Sequence, residues 1–145
     1  MKYYSRHFVK PGDLNPAQRL FGGQLLAWID EEAAIFAGCQ MGTPMVVTKL
    51  MSEIDFVSSA FCGDVVEFGF EVVDIGRTSL TVHCEVRNKQ TRELIIQVER
   101  IVFVALDAEG KPTPHKKAGM TLDEAREDSQ REQEEKERRE QRLAS

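Results

Sequence analysis

The feature that most constrains how this chain can fold is a change of hydrophobic period at Gly42-Thr43-Pro44. Before it, from Gly23 to about Gly38, Leu25, Leu26, Ile29, Ala33, Phe36 and Ala37 recur at spacings of three and four, which predicts a helix with a wide apolar surface. After it the period is two. Met45 to Phe56 is β-branched and apolar; Asp64 to Ile75 alternates Val66, Phe68, Phe70 and Val72 against Glu67 and Glu71. Thr78 to Lys89 alternates Leu80, Val82, Cys84 and Val86 against Thr81, His83, Glu85 and Arg87. These read as strands with one buried face. Leu94 to Leu106 is a further strand, closed by the turn sequence Asp107-Ala108-Glu109-Gly110, and Lys2 to Val9 is a first strand broken by Pro11-Gly12-Asp13. Gly76-Arg77 and Asn88 to Arg92 are too short for parallel crossovers, so antiparallel neighbours are expected, in the order strand, long helix, then four strands in a meander.

The fold class that follows is α+β, because one helix lying on one face of an antiparallel sheet buries both the helix stripe and the apolar strand faces. Such a sheet leaves an edge strand and apolar surface uncovered, so pairing with a second copy is expected. A chain of 145 residues, 41% hydrophobic, suits one domain, placed here at residues 1–118. Residues 119–145 are a different material, holding 6 of the 19 basic and 9 of the 24 acidic side chains. Thr121 and Glu124 have the spacing of a capping box, but Arg126 to Arg142 carries no apolar stripe. A solvated helix or a disordered tail is expected there.

A net charge of −5 argues against nucleic acid, whose binding is driven by Lys and Arg releasing counterions. There is no apolar run near the roughly 20 residues a membrane span needs and no signal-like start, so a soluble, cytoplasmic protein is expected. Cys39, Cys62 and Cys84 are odd in number and widely spaced, and are read as reduced core thiols. His7, His83 and His115 lack metal-ligand spacing and none is read as near the helix site, so no metal is expected.

The informative stretch runs from Pro11 to Ala34. Gly22-Gly23 at the mouth of the helix permits close backbone approach, and the free N–H groups of a first helical turn stabilise a developing oxyanion. Asp30 falls about two turns further, in a row otherwise suited to burial, where a carboxylate must be paired, hydrogen-bonded or used. On pattern alone the plainer readings stay open: Gly-Gly is common punctuation, Asp30-Glu31-Glu32 a solvated face, and Asn15 a turn residue.

This stretch resembles the acyl-CoA thioesterase family of hotdog proteins, the bacterial short- to medium-chain and brain-type cytosolic acyl-CoA hydrolases. Their signature has an Asn in the loop, a Gly-Gly pair opening the central helix and an Asp-Glu pair within it, here Asn15, Gly22-Gly23 and Asp30-Glu31. Asp55-Phe56-Val57, Gly63-Asp64, Gly76-Arg77-Thr78-Ser79, Phe103 to Asp107 and Gly110-Lys111-Pro112 follow in the family's order, so the likeness spans roughly residues 5 to 115.

The resemblance implies a hotdog fold and hydrolysis of acyl-CoA. Asp30 is then the base that activates water, or the nucleophile, and Asn15 orients water or carbonyl from the opposite subunit. The N–H of Gly23, beside Gly22, polarises the thioester carbonyl. Arg77, Thr78 and Ser79 lie near the nucleotide and pantetheine, and the basic cluster of Lys111, His115, Lys116 and Lys117 faces the phosphates or is a plain basic loop. No cofactor is implied beyond the coenzyme A of the substrate, and the partners implied are copies of the chain, in a homodimer or a tetramer or hexamer. Trp28, Phe36, Phe56 and Phe61 are candidates for an acyl-tunnel wall that serve equally well as core. One departure stands beside the site: where the family has a Gly three residues after the Asn, this chain has Gln18, with Pro16 also in the loop.

Two other readings fit the fold. A hotdog dehydratase acting on 3-hydroxyacyl thioesters needs a catalytic His, and none occurs from Gly22 to Ala34 or in the preceding loop. A non-catalytic acyl-CoA-binding regulator generally carries a DNA-binding segment, and no helix-turn-helix pattern supplies one.

Overall fold

The change of period at Gly42 is a change of layer. In the computed structural model, which describes residues 1–145, α1 (Gly22–Met41) lies across one face of a five-stranded antiparallel sheet. The strands are β1 (Lys2–Phe8), β2 (Val46–Phe56), β3 (Val65–Ile75), β4 (Ser79–Asn88) and β5 (Leu94–Ala105). Leu25, Ile29, Ala33, Phe36 and Ala37 of α1 meet the face formed by Phe68, Phe70, Leu80, Val82, Cys84, Ile96, Val98, Ile101 and Phe103. Burial of each of the larger of these side chains is worth about 1.5–3 kcal/mol, which is why the two periodicities find each other. Gly42 ends α1 in the left-handed region at φ 73°, donating its N–H to Gly38 O.

The strand order β1-β3-β4-β5-β2 corrects the expected four-strand meander. Only β3, β4 and β5 are consecutive neighbours. β2 pairs with β5 at the far edge, from Val46 opposite Ala105 to Phe56 opposite Ile96. Residues 57–64 are not a hairpin turn but a crossing link: Val57 N–H donates to Ile95 O at 2.8 Å, and Gly63 N–H to Val9 O at 2.8 Å. Periodicity identifies strands and says nothing of their neighbours once a link is long enough to cross the sheet's end.

As an edge, β2 exposes Val47, Leu50, Ile54 and Phe56, a long apolar margin with unpaired backbone groups. The sheet's outer face is polar but ordered. Buried Glu67 accepts from Arg87 Nε at 2.6 Å and from Arg6 Nε at 3.3 Å. Burial pushes the Glu67 carboxyl up, but these two guanidinium partners outweigh it and hold it below the usual carboxylate value.

Two expectations about side chains change. Cys84 is in the core, where burial pushes its thiol up, but Cys39 on the outward side of α1 and Cys62 in the crossing link are exposed. The terminal segment forms α2 (Leu122–Ala144), with Glu124 N–H donating to Thr121 Oγ1 at 3.2 Å and Thr121 N–H to Glu124 Oε2 at 2.9 Å. Its first two turns are docked rather than solvated. Ala125 is buried, Ser129 Oγ donates to Gln40 Oε1 at 2.8 Å, and Lys117, 0% exposed, reaches Ala125 O, Asp128 Oδ2 and Ser129 Oγ at 3.4, 3.0 and 3.2 Å. Only Leu122 and Ala125 add apolar contact to these polar ones, too few to make a stripe, and residues 130–145 are exposed as expected. No helix is long and apolar enough to cross a membrane.

Candidate active site

The loop ahead of α1 is organised by Asn15. Its Oδ1 accepts from Ala17 N–H at 2.9 Å and Arg19 N–H at 3.2 Å, while its own N–H donates to Arg19 O at 2.8 Å. The carboxamide oxygen is committed to the turn, leaving the NH2 group as the side chain's available donor. Gln18 sits at φ 62°, the left-handed conformation that glycine adopts without strain. The departure noted in the sequence therefore costs conformational strain at a position whose backbone favours Gly.

This loop delivers the chain directly to α1, with Phe21 N–H donating to Asp13 O at 2.8 Å. The first intrahelical bond runs from Leu25 N–H to Phe21 O at 3.1 Å, so the N–H groups of Gly22, Gly23 and Gln24 have no backbone acceptor at the positive end of the helix dipole. Space there is short. A Cβ on Gly22 would lie 3.2 Å from the Phe56 ring, and one on Gly23 2.7 Å from the Phe21 ring. Of the four aromatic wall candidates, Phe56 and Phe61 are half-exposed near this end, whereas Trp28 and Phe36 are buried core.

Asp30 is exposed in the single chain, which corrects its placement in a row suited to burial. The Ala27 and Asp30 side of α1 is exposed, and Asp30 turns toward β2 at the open sheet edge. Thr48 Oγ1 of β2 donates to Asp30 Oδ1 at 2.6 Å, and the second carboxylate oxygen is free. Sequence reasoning missed Thr48, because nothing local links a strand hydroxyl to a helical acid 18 residues earlier.

One histidine does pack on α1, away from Asp30. His7 Nε2 lies 3.0 Å from Glu32 Oε1 and its ring stacks on Trp28 at 4.7 Å. Glu32 is two residues beyond Asp30, about 200° round the helix, so this pair occupies a different face.

The other sequence candidates sit at the opposite end of the sheet. Arg77 and Thr78 form the tip of the β3–β4 hairpin, where Gly76 N–H donates to Ser79 O at 3.0 Å and Thr78 O accepts from Ala105 N–H at 2.9 Å. Ala105 is opposite Val46, at the start of β2, whereas the α1 N-terminus lies beside Phe56, at its end. Within one chain Asn15, Gly22 and Gly23 are thus together, Arg77, Thr78 and Ser79 are together elsewhere, Lys111 sits in the turn after β5, and no hydrogen bond joins the first two sets or links Asn15 to Asp30.

The basic cluster is not one exposed patch. Lys117 is buried, Lys116 is paired with Glu132 and lies 3.8 Å from Asp128, and His115 is 7% exposed with its ring turned inward. Lys111 and Lys116 are at the surface, each beside a carboxylate, with Lys111 3.9 Å from Glu109. No three His, Cys, Asp or Glu side chains are gathered as metal ligands require.

Free amides at a helix N-terminus can polarise a carbonyl, and a carboxylate fixed by a hydroxyl can take a proton from water. Comparison with known proteins bears on this chemistry. The family model of the thioesterase superfamily matches residues 17–95. A Bacillus subtilis protein, the uncharacterized acyl-CoA thioester hydrolase YkhA, is 35% identical over 115 residues, 73% of this chain and 63% of that one. The Salmonella typhimurium acyl-CoA thioester hydrolase YciA is 31% identical over 121 residues, 75% of this chain and 86% of that one. Among solved structures, a Staphylococcus aureus acyl-CoA hydrolase in complex with butyryl coenzyme A and coenzyme A superposes with a TM-score of 0.70 at 30% identity, covering 99% of this chain and 92% of its own. A hexameric thioesterase of Yersinia pestis superposes with a TM-score of 0.73 at 29% identity, covering 79% and 94%. With more than half its length inside the family model and its sheet and helix superposing on theirs, this chain belongs to the thioesterase superfamily and has its hotdog fold.

Proposed function

We propose that the chain hydrolyses acyl-CoA thioesters to a free acid and coenzyme A, with Asp30 as general base or nucleophile and with the site completed across an interface between copies. The observation that carries the reading is the Thr48–Asp30 pair, which presents an aimed carboxylate on the open side of α1 beside an uncovered sheet edge. Relatives named as acyl-CoA hydrolases and a coenzyme A-bound neighbour support the substrate class. In the S. aureus hydrolase, the Asp and Asn replaced by Ala in two solved variants are 15 positions apart, as are Asn15 and Asp30. A Thr replaced in a third variant is 17 positions beyond that Asp, against 18 from Asp30 to Thr48.

Assembly explains the separation seen within one chain. Two copies joined antiparallel through β2 bring the Phe56 end of one strand beside the Val46 end of the other. The Gly22, Gly23 and Asn15 loop of one copy then faces the hairpin of Arg77, Thr78 and Ser79 in its partner, with Lys111 near the hairpin. The Gly23 N–H polarises the carbonyl, the Asn15 NH2 orients water or carbonyl, and Asp30 accepts the water proton. The proposal includes assembly beyond the dimer, in keeping with the hexameric neighbours, and a cytoplasmic location.

The test is turnover of a panel of acyl-CoA thioesters followed by free-thiol detection, in the native chain and in Asp30→Asn. Activity is expected in the first and a fall of about 10²–10⁴-fold in the second, with coenzyme A binding retained. Full activity in Asp30→Asn overturns the assignment, and a chain that binds coenzyme A without turnover is a binding protein instead.

A further inference from the structure

The tripeptide His115-Lys116-Lys117, with His115 and Lys117 buried, joins three parts of the molecule. His115 Nε2 lies 2.9 Å from Gly76 O and 2.8 Å from Ser79 O, the two carbonyls that close the β3–β4 hairpin. Lys116 N–H donates to Met41 O at 3.2 Å, the last residue of α1. Lys117 Nζ holds the first turns of α2 through Ala125 O, Asp128 and Ser129.

The partners of the His115 ring fix its tautomer. Lys117 N–H donates to Nδ1 at 3.2 Å, so Nδ1 presents its lone pair and the proton is on Nε2, shared between the two hairpin carbonyls. Hairpin geometry is tightly specified at this spot. Gly76 N–H already donates to Ser79 O at 3.0 Å, and a Cβ on Gly76 would run into Ser79 Oγ. Ser79 O already accepts from Gly76 N–H, so the His115 N–H is a donor from outside the hairpin that ties Gly76 O to Ser79 O.

We infer that His115 is a positioning residue for the coenzyme A end of the substrate: its Nε2–H holds the Gly76 and Ser79 carbonyls so that the Arg77-Thr78-Ser79 tip is presented in its binding shape. The inference rests on the proposed function, which places coenzyme A at that tip. Arg77 itself is exposed and makes no ion pair, so nothing but the hairpin backbone directs it. A guanidinium recognises phosphate oxygens by direction as well as charge, so a loosened turn weakens binding even with Arg77 intact.

The experiment compares His115→Leu with His115→Gln in the full-length protein. Both substitutions fill the site, but only Gln restores an amide N–H at the reach of Nε2. Calorimetric binding of coenzyme A and steady-state hydrolysis of an acyl-CoA are measured together. In His115→Leu, Kd for coenzyme A and KM are expected to rise about tenfold, with kcat falling less than KM rises, and His115→Gln recovers most of the loss. The inference is overturned if His115→Leu leaves Kd and KM unchanged, if kcat and KM change only together with loss of assembly, or if Gln does no better than Leu. A native chain that binds coenzyme A but hydrolyses no thioester defeats the proposed function while the Kd comparison still decides the role of His115. A native chain that does not bind coenzyme A defeats both.

Discussion

Thr48 and Asp30 form a hydrogen bond of 2.6 Å between an edge strand and the central helix, which immobilises one carboxylate oxygen and leaves the other open to a water molecule. A base aimed in this way loses rate when its support is removed, even though its own chemistry is intact. Thr48→Val keeps the shape and removes the donor, and is expected to lower kcat about tenfold with KM little changed. Thr48→Ser, which restores the hydroxyl, should recover most of the rate. Steady-state kinetics of the pair decide it, and equal losses in Val and Ser would assign the effect to packing.

Gly23 separates stability from activity. Replacing it with Ala forces the half-exposed Phe21 ring away, since the new Cβ lies 2.7 Å from Phe21 Cε1. A flexible exposed ring yields at small cost, and Ala is favoured over Gly in a helix by about 1 kcal/mol, so Tm should hold or rise. The amide that would face the thioester carbonyl becomes crowded, and kcat/KM is expected to fall by tenfold or more. A variant that is both stable and fully active would remove Gly23 from the site.

How much of this was legible in the sequence depends on the range of the interaction. Leu25, Ile29 and Phe36, and Val66, Phe68 and Phe70, declare their elements because one face of each is buried, and burial is periodic. The place of β2 beside β5 is not declared, because it depends on where residues 57–64 cross, and no local pattern encodes that. Asn15, Gly22-Gly23 and Asp30 stand out through their order and spacing in a family resemblance, each alone having a plainer reading, whereas Thr48 is found only once β2 lies against α1. Lys117 misled for a related reason. A lysine near other basic residues reads as a surface charge until Asp128 and Ser129 are seen to bury it.

Gln18 stores strain next to the site. At φ 62° a residue with a Cβ crowds its own carbonyl, a cost of about 1–2 kcal/mol that glycine avoids, offset in part by glycine's greater freedom when unfolded. Gln18→Gly is expected to stabilise the protein by about 0.5–1 kcal/mol, read by chemical denaturation. The Asn15 turn should survive it, so activity should not fall.

Leu50 tests the edge. It is 42% exposed in the single chain, on a strand whose outer backbone groups have no partner. Leu50→Lys places a charge where two copies would meet, and charged edge residues oppose strand pairing. Size measurement in solution should show smaller particles, and hydrolysis should drop with assembly because Asp30 and Asn15 belong to different copies in the proposed site. Unchanged size and rate would move the interface off β2.

Asp128 gives the attachment of α2 a pH dependence whose sign can be worked out. The hydrogen bond from Lys117 is the largest influence on its carboxyl and holds it below the usual carboxylate value, with Lys116 and Arg131 adding to the effect. Because the folded form binds the proton less readily than the unfolded form, the stabilisation is fully present above about pH 4 and is lost as pH falls through the depressed value. The protection of residues 122–129 against hydrogen exchange, taken relative to the intrinsic rate at each pH, should therefore fall in acid before that of the sheet. Lys117→Ala should produce the same loosening at neutral pH, costing about 2–3 kcal/mol, below the usual figure for a broken buried pair because Asp128 retains 20% exposure. If exchange in α2 stays as slow in that variant as in the native chain, the Ala125 contact rather than the buried cation holds the helix.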